Sequence, residues 1–373
     1  MRHALRGCLG WLLVLSMACG DEPEPFQWEL PPGFPTPAVP SDNPMSAAKV
    51  ELGRHLFYDT RLSANGTQSC GSCHLQAQAF SDGRATALGS TGESHRRNSM
   101  SLANVAYAAS LTWANPVLPD LEAQALLPLF GEHPVELGLA GQEDLLLQRL
   151  SEDARYPKLF AAAFPEEKQP LSLGSIVRAI AAFERTLISG NSPYDRYTYR
   201  DELDALSLSA KRGMTLFFSE RLECFHCHQG FAFSDSVKSQ ETVFPEITFH
   251  NTNLYNVDGR GGYPAGDEGL REFTGRSEDT GRYRAPTLRN IAVTAPYMHD
   301  GSIATLGEVL DHYAAAGRAS AQGAGPSPYQ SEFVRGFTLT PQEKQDVLAF
   351  LESLTDPTFL TDTRLSDPFA STP

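Results

Sequence analysis

The stretch ECFHCHQGFAFSD, residues 223–235, decides the fold, and a close copy, SCGSCHLQAQAFSD, stands at residues 69–82. Each holds Cys-x-x-Cys followed at once by histidine: Cys70, Cys73 and His74 in one, Cys224, Cys227 and His228 in the other. Two sulfurs at this spacing reach the two vinyl groups of one porphyrin, and the adjoining histidine then lies under the iron, so the string reads as a c-type haem attachment site. Two cysteine pairs also suit a zinc site or a redox dithiol, but neither explains a histidine after both. The sequence predicts two c-type haems, with His74 and His228 as iron ligands.

The echo extends upstream. LGRHLFYDTRL (52–62) parallels RGMTLFFSERL (212–222), pairing Gly53 with Gly213, Leu56 with Leu216, Phe57 with Phe217 and Arg61 with Arg221. A duplicated cytochrome unit accounts for this register. Elsewhere the patterns are helical. SIVRAIAAFERTLISG puts Ile176, Ile180, Phe183 and Leu187 on one face with Gly190 as a stop. TLGEVLDHYAAAG does the same with Leu306, Val309, Leu310 and Tyr313. TPQEKQDVLAFLESL opens with Thr340, Pro341 and Glu343, a capping box with proline at the first turn. Long alternating strand patterns are absent, and polar, glycine-rich loops at 84–100 and 236–285 are suited to wrapping a cofactor. The expected fold is all-α: two facing cytochrome c-like domains, residues 45–200 and 201–360, each with one covalently attached c-type haem, then a tail at 361–373.

The 373 residues carry a net charge of -15 and no long basic run, which argues against nucleic acid and favours basic patches on protein partners. Residues 1–18 read as a signal peptide: Arg2 and Arg6 precede LGWLLVLSMA, a run too short to span a bilayer. Ala18-Cys19 suits a lipoprotein signal with Cys19 lipidated. The protein is therefore expected to be periplasmic or exported, meeting a membrane only through that lipid. Residues 19–44 form a proline-rich tether whose later part, with Trp28 and Phe34, is expected to pack on the body.

APTLRNIAVTAPYMHDGSIATLGEVLDHY (285–313), with RNSMSLANVAY, LEAQALLPL and HPVELG, resembles the bacterial di-haem cytochrome c peroxidases and their MauG-like relatives, over about residues 26–360. SLTWANP and LPPGFPTPAVPSDNPM bring it nearest the di-haem enzymes associated with methanobactin operons, which convert a tryptophan of a partner protein to kynurenine. The resemblance implies that hydrogen peroxide binds at haem one, opposite His74, with Glu136 as the acid-base residue and Glu132 as its fallback. Gln124 and Pro128 match residues of that pocket. It implies that Tyr313 is the second ligand of haem two, where the peroxidases carry methionine; Met298 and His299 are alternatives. His312 projects roughly 100° away on the helix. Phenolate favours high-valent iron, whereas a thioether favours the reduced metal. Trp113 matches the tryptophan between the haems, and Asn98, Thr294 and Pro296 match the ligands of a Ca²⁺ ion. His95 is out of register with the histidine that caps haem one in resting peroxidases, so haem one is expected to be open. Leu222 replaces the surface tryptophan through which MauG passes charge to its partner. His55 and His250 are read as structural or exposed histidines, and His226 as a residue of free identity between the attachment cysteines.

Three functions follow from that resemblance. Foremost is a peroxide-driven enzyme that forms a high-valent di-iron state and oxidises a residue, tryptophan, on a partner protein. The second is a cytochrome c peroxidase drawing electrons from a small redox protein. The third is a di-haem electron carrier without catalysis.

Overall fold

The computed structural model describes residues 26–118 and 120–370; the expected signal peptide and Cys19 lie outside the described residues. Helices of seven residues or more are α1 (Ala47–Tyr58), α2 (Leu121–Phe130), α3 (Glu143–Ser151), α4 (Tyr156–Ala163), α5 (Leu173–Glu184), α6 (Pro193–Tyr199), α7 (Leu208–Phe217), α8 (Leu306–Ala314) and α9 (Pro341–Glu352). Among the described residues there are no strands, only isolated bridge pairs. No described helix is long and apolar enough to cross a membrane.

The duplication read from the cysteine strings is built into the packing. Helix α1 crosses α5, and α7 crosses α9. Each crossing brings backbone to within a hydrogen's breadth of a glycine. A Cβ on Gly53 would lie 1.9 Å from the Ala179 carbonyl oxygen, and one on Gly213 would lie 1.8 Å from that of Asp346. No other residue type fits there, which is why both copies keep glycine. Around the first crossing Leu52, Leu56, Phe57, Ile176, Ile180 and Phe183 are buried. Around the second are Phe217, Leu310, Val347, Phe350 and Leu351. Each such side chain contributes roughly 1.5–3 kcal/mol on leaving water. Phe359 and Leu365, close to the end of the chain, return to the first core.

A second duplicated device sits downstream. Asn104 and Asn290 both have φ of +60° and each opens a short 3₁₀ turn, Val105–Tyr107 and Ile291–Val293. Their amides tie the connections together: Asn104 Oδ1 accepts from the Ser189 amide (2.9 Å), and Asn290 Oδ1 from that of Asp356 (2.8 Å). This explains why α5 ends at Glu184 and not near Gly190. Beyond Glu184 the chain leaves the helix, and the Leu187 carbonyl accepts from the Asn104 amide (2.7 Å). The capping box at α9 forms as read: Thr340 Oγ1 accepts from the Glu343 amide, and Glu343 from that of Thr340.

Phe34 is buried, as expected of the proline-rich segment. Its ring packs on Tyr107 (6.0 Å between centroids) and Phe231 (4.9 Å), and the Arg289 guanidinium lies over it at 4.7 Å. The ring thus sits at a seam to which both repeats contribute. Arg289 is itself held by Asp195 through two hydrogen bonds of 2.8 and 2.9 Å.

Candidate active site

Each cysteine pair occupies one tight turn, Cys70–Cys73 as α-helix and Cys224–His226 as 3₁₀. In both the histidine amide donates to the carbonyl of the first cysteine, at 3.0 Å. The histidine side chains are then fixed from behind. His74 Nδ1 lies 2.7 Å from the Phe80 carbonyl oxygen and His228 Nδ1 lies 3.1 Å from that of Phe233. A carbonyl only accepts, so Nδ1 carries the hydrogen and Nε2 keeps its lone pair. Burial holds both imidazoles below the usual histidine range, in the neutral form that binds a metal.

Each turn borders a cavity. The first, about 330 Å³, is lined by Cys70, Cys73, His74, Gln124, Glu136 and Glu184 among others. The second, about 180 Å³, is lined by Cys224, Cys227, His228, Met298, His299 and Tyr313, with leucine, valine and isoleucine supplying nearly half of the remaining wall. Arg284 reaches the second cavity from a buried position. Its guanidinium makes no ion pair among the described residues and is pushed down to about 10 by burial. An unpaired buried cation calls for an anion, and a haem propionate is one. The free sulfurs, the open Nε2 positions and this cation fit a c-type haem in each cavity.

Residues 47–203 match the family of di-haem cytochrome c peroxidases, and residues 281–316 match a RoxA-like, cytochrome c-like family. A cytochrome-c peroxidase, IdrP1, of Denitromonas iodatirespirans is 36% identical over 372 residues, spanning 94% of this chain and 92% of its own. The chain belongs to the di-haem cytochrome c peroxidase and MauG family. MauG of Methylorubrum extorquens is 33% identical over 317 residues, with 84% of this chain and 80% of MauG aligned. A crystal structure of a MauG-like protein associated with microbial copper homeostasis superposes with a TM-score of 0.90 at 48% identity, covering 92% of this chain and all (100%) of that one. The protein is thus a di-haem oxidoreductase with two cytochrome c-like haem units.

The residues singled out by this family's patterns gather as follows. Glu136 faces the first cavity with Gln124 and Pro128, whereas Glu132 is exposed and outside it. Open cavity leaves 38% of the Glu136 side chain reachable, yet protein surrounds its carboxyl on most sides, and burial pushes it up to about 7. Tyr313 points from α8 into the second cavity, and burial pushes its phenol above the usual range. His312, next to it, points elsewhere: its Nδ1 accepts from the Arg318 amide at 3.0 Å. Trp113 borders both cavities, and its indole N–H donates to the Asn98 carbonyl at 2.8 Å. Asn98, Thr294 and Pro296 meet around a third, smaller cavity of about 90 Å³ that Trp113 also lines. Leu222 is buried against the second cavity.

Several residues at these cavities carry no motif. Glu184, at the end of α5, lines the first cavity at 6% exposure with Oε2 unpaired; burial drives its carboxyl up to about 8. His95 borders the same cavity, its Nε2 3.8 Å from Glu136 Oε1. His250, read from sequence as a structural or exposed histidine, borders the second cavity, paired with Asp235 at 2.6 Å. Burial alone would lower its imidazole, but the Asp235 carboxylate beside it outweighs that and holds it high. The one available signal for the last pair is that Asp235 ends the repeated AFSD string.

Proposed function

We propose that the protein reduces hydrogen peroxide at the first cavity and delivers the two oxidising equivalents to a tryptophan on a partner protein that remains outside. Tyr313 supports this reading most directly: a hard oxygen donor facing the second cavity with His228 suits an oxidised metal, where a thioether would suit a reduced one. The solved MauG-like relative, associated with microbial copper homeostasis, points the same way. When bound, the haems supply the redox chemistry that peroxide cleavage needs and hold the oxidising equivalents. Glu136 takes the proton from one peroxide oxygen and returns it to the other; a carboxyl at about 7 does both near neutrality. Gln124 orients peroxide beside it. Trp113 relays charge between the cavities that it borders. Asn98, Thr294 and Pro296 offer oxygen donors for a Ca²⁺ ion that stiffens the link. Residues 45–200 and 201–360 form the two haem units, and Cys19 tethers the exported protein to a membrane through lipid.

In the test, peroxide is added to the loaded enzyme without reductant. The expected result is an altered haem spectrum that persists and, when the partner is supplied, kynurenine in it after two rounds of peroxide, four oxidising equivalents opening the indole ring and water removing the formyl group as formate. Tyr313→Phe abolishes both the low-spin signature of haem two and the persistence; an unchanged spectrum removes Tyr313 from the ligand set. Relatives named cytochrome-c peroxidase favour a second reading, reduction of peroxide to water with electrons from a small redox protein. Rapid steady oxidation of reduced cytochrome c would select it.

A further inference from the structure

We infer that oxidising equivalents leave this protein through three tyrosines, Tyr283, Tyr263 and Tyr255, which lead from Trp113 to the surface. The inference rests on the proposed function and names where a partner must touch. Leu222, aliphatic and buried, cannot be oxidised at the position where a surface aromatic would serve. Trp113 packs instead against a cluster of Tyr255, Tyr263 and Tyr283. His299 sits among them. Its ring is 6.5 Å from Trp113, stacks on Tyr283 at 3.7 Å with 11° between planes, and lies 6.2 Å from Tyr263 and 6.4 Å from Tyr255. Tyr283 and Tyr263 are 6.2 Å apart, Tyr263 and Tyr255 5.5 Å. Tyr283 and Tyr263 are buried. Tyr255 is half-buried, two residues from Val257, which is 65% exposed.

The hydrogen bonds suit the chemistry. A phenol that loses an electron must shed its proton, so a relay tyrosine needs a base on its hydroxyl. Tyr283 Oη donates to Asp267 Oδ1 at 2.9 Å, and Tyr255 Oη to Asp300 Oδ2 at 2.5 Å. Tyr263 Oη donates to the Asn251 amide oxygen, at 3.2 Å, which cannot take a proton, so charge crosses Tyr263 without resting there. Asp267 is shared, since Arg97 Nε also donates to its Oδ1 at 2.9 Å and His299 Nε2 lies 3.0 Å from its Oδ2, so Tyr283 passes charge on and Tyr255, on Asp300, holds it. Arg318 lies over the Tyr255 ring at 4.7 Å, and the residue is only partly buried. In each outward step one electron passes from Tyr255 toward oxidised Trp113 while the phenolic proton moves to Asp300. The neutral tyrosyl radical then takes one electron from a donor outside, and Asp300 returns the proton. Hydrogen peroxide, reduced to water, supplies the oxidising equivalents.

The experiment compares loaded wild type, Tyr255→Phe and Asp300→Asn after peroxide, by freeze-quench electron paramagnetic resonance, by decay of the altered haem spectrum with ferrocyanide as external donor, and by peptide mass spectrometry. The wild type is expected to show a tyrosyl signal and oxidation products on Tyr255. In Tyr255→Phe both vanish, and reduction by ferrocyanide slows on the order of tenfold, while the altered spectrum forms at the wild-type rate. Asp300→Asn keeps the ring and should slow the same step. An altered spectrum that forms normally and decays identically in all three proteins overturns the tyrosine exit alone. A wild-type spectrum indifferent to peroxide overturns the parent reading and the exit with it.

Discussion

The two haem cavities share a scaffold and differ in what faces their histidines. Gly53 and Gly213 make the same helix crossing, His74 and His228 the same backbone bond, and Asn104 and Asn290 the same left-handed turn. Yet the first cavity is bordered by Glu136, Glu184, His95 and Gln124, groups that give, take or orient protons. The second sets Tyr313 opposite a wall richer in leucine, valine and isoleucine, with His250, His299 and Arg284 as its main polar groups. Duplication therefore fixed the frame behind each histidine, while the loops and helices laid over it diverged into one wall rich in acid–base groups and another that is more apolar.

The sharpest way to break the comparison is to remove one attachment at a time. Replacing Cys70 and Cys73 by alanine should halve the haem per chain and abolish the response to peroxide. Replacing Cys224 and Cys227 should also halve it, yet leave a peroxide-reactive site whose oxidised form does not last. Intact-protein mass and haem absorbance measure both, and equal loss of peroxide response would erase the division of labour. Next in size, Glu136→Gln should slow the spectral change on adding peroxide by roughly 10²–10⁴-fold. Glu136 accepts a proton only when ionised, so the wild-type rate should rise through pH about 7, and the variant should lack that rise. The smallest effect concerns Glu184. The unfolded chain releases this proton above its ordinary 4.5, whereas the folded protein keeps it to about 8, so rising pH over that window weakens the fold. Glu184→Gln should flatten the fall in thermal stability between those values, by at most roughly 1.4 kcal/mol per pH unit. Matching curves for both proteins would show that the carboxyl is already ionised.

What the chain discloses before folding is what depends on near neighbours. The cysteine strings, the Thr340–Glu343 cap and the paired glycines each complete their geometry within a few residues or by strict repetition. Helix α5 was expected to run on towards Gly190, because the apolar period continues to Leu187; an asparagine some eighty positions earlier ends it instead. Glu184 reads as an ordinary helix-end carboxylate until α2 and the Cys70 turn close over it. The cluster of Tyr255, Tyr263 and Tyr283 has no spacing to detect, since irregular loops bring the rings together. His250 lies fifteen residues beyond its partner Asp235, with no periodic element between them to signal the pairing.

Phe34 fastens one repeat to the other. Its ring, carried ahead of both cysteine strings, is gripped at once by Tyr107 from the first repeat and by Phe231 and Arg289 from the second. Cutting that ring back to alanine would open a hole at the seam and cost roughly 3–5 kcal/mol, while leaving the walls of both haem cavities as they are.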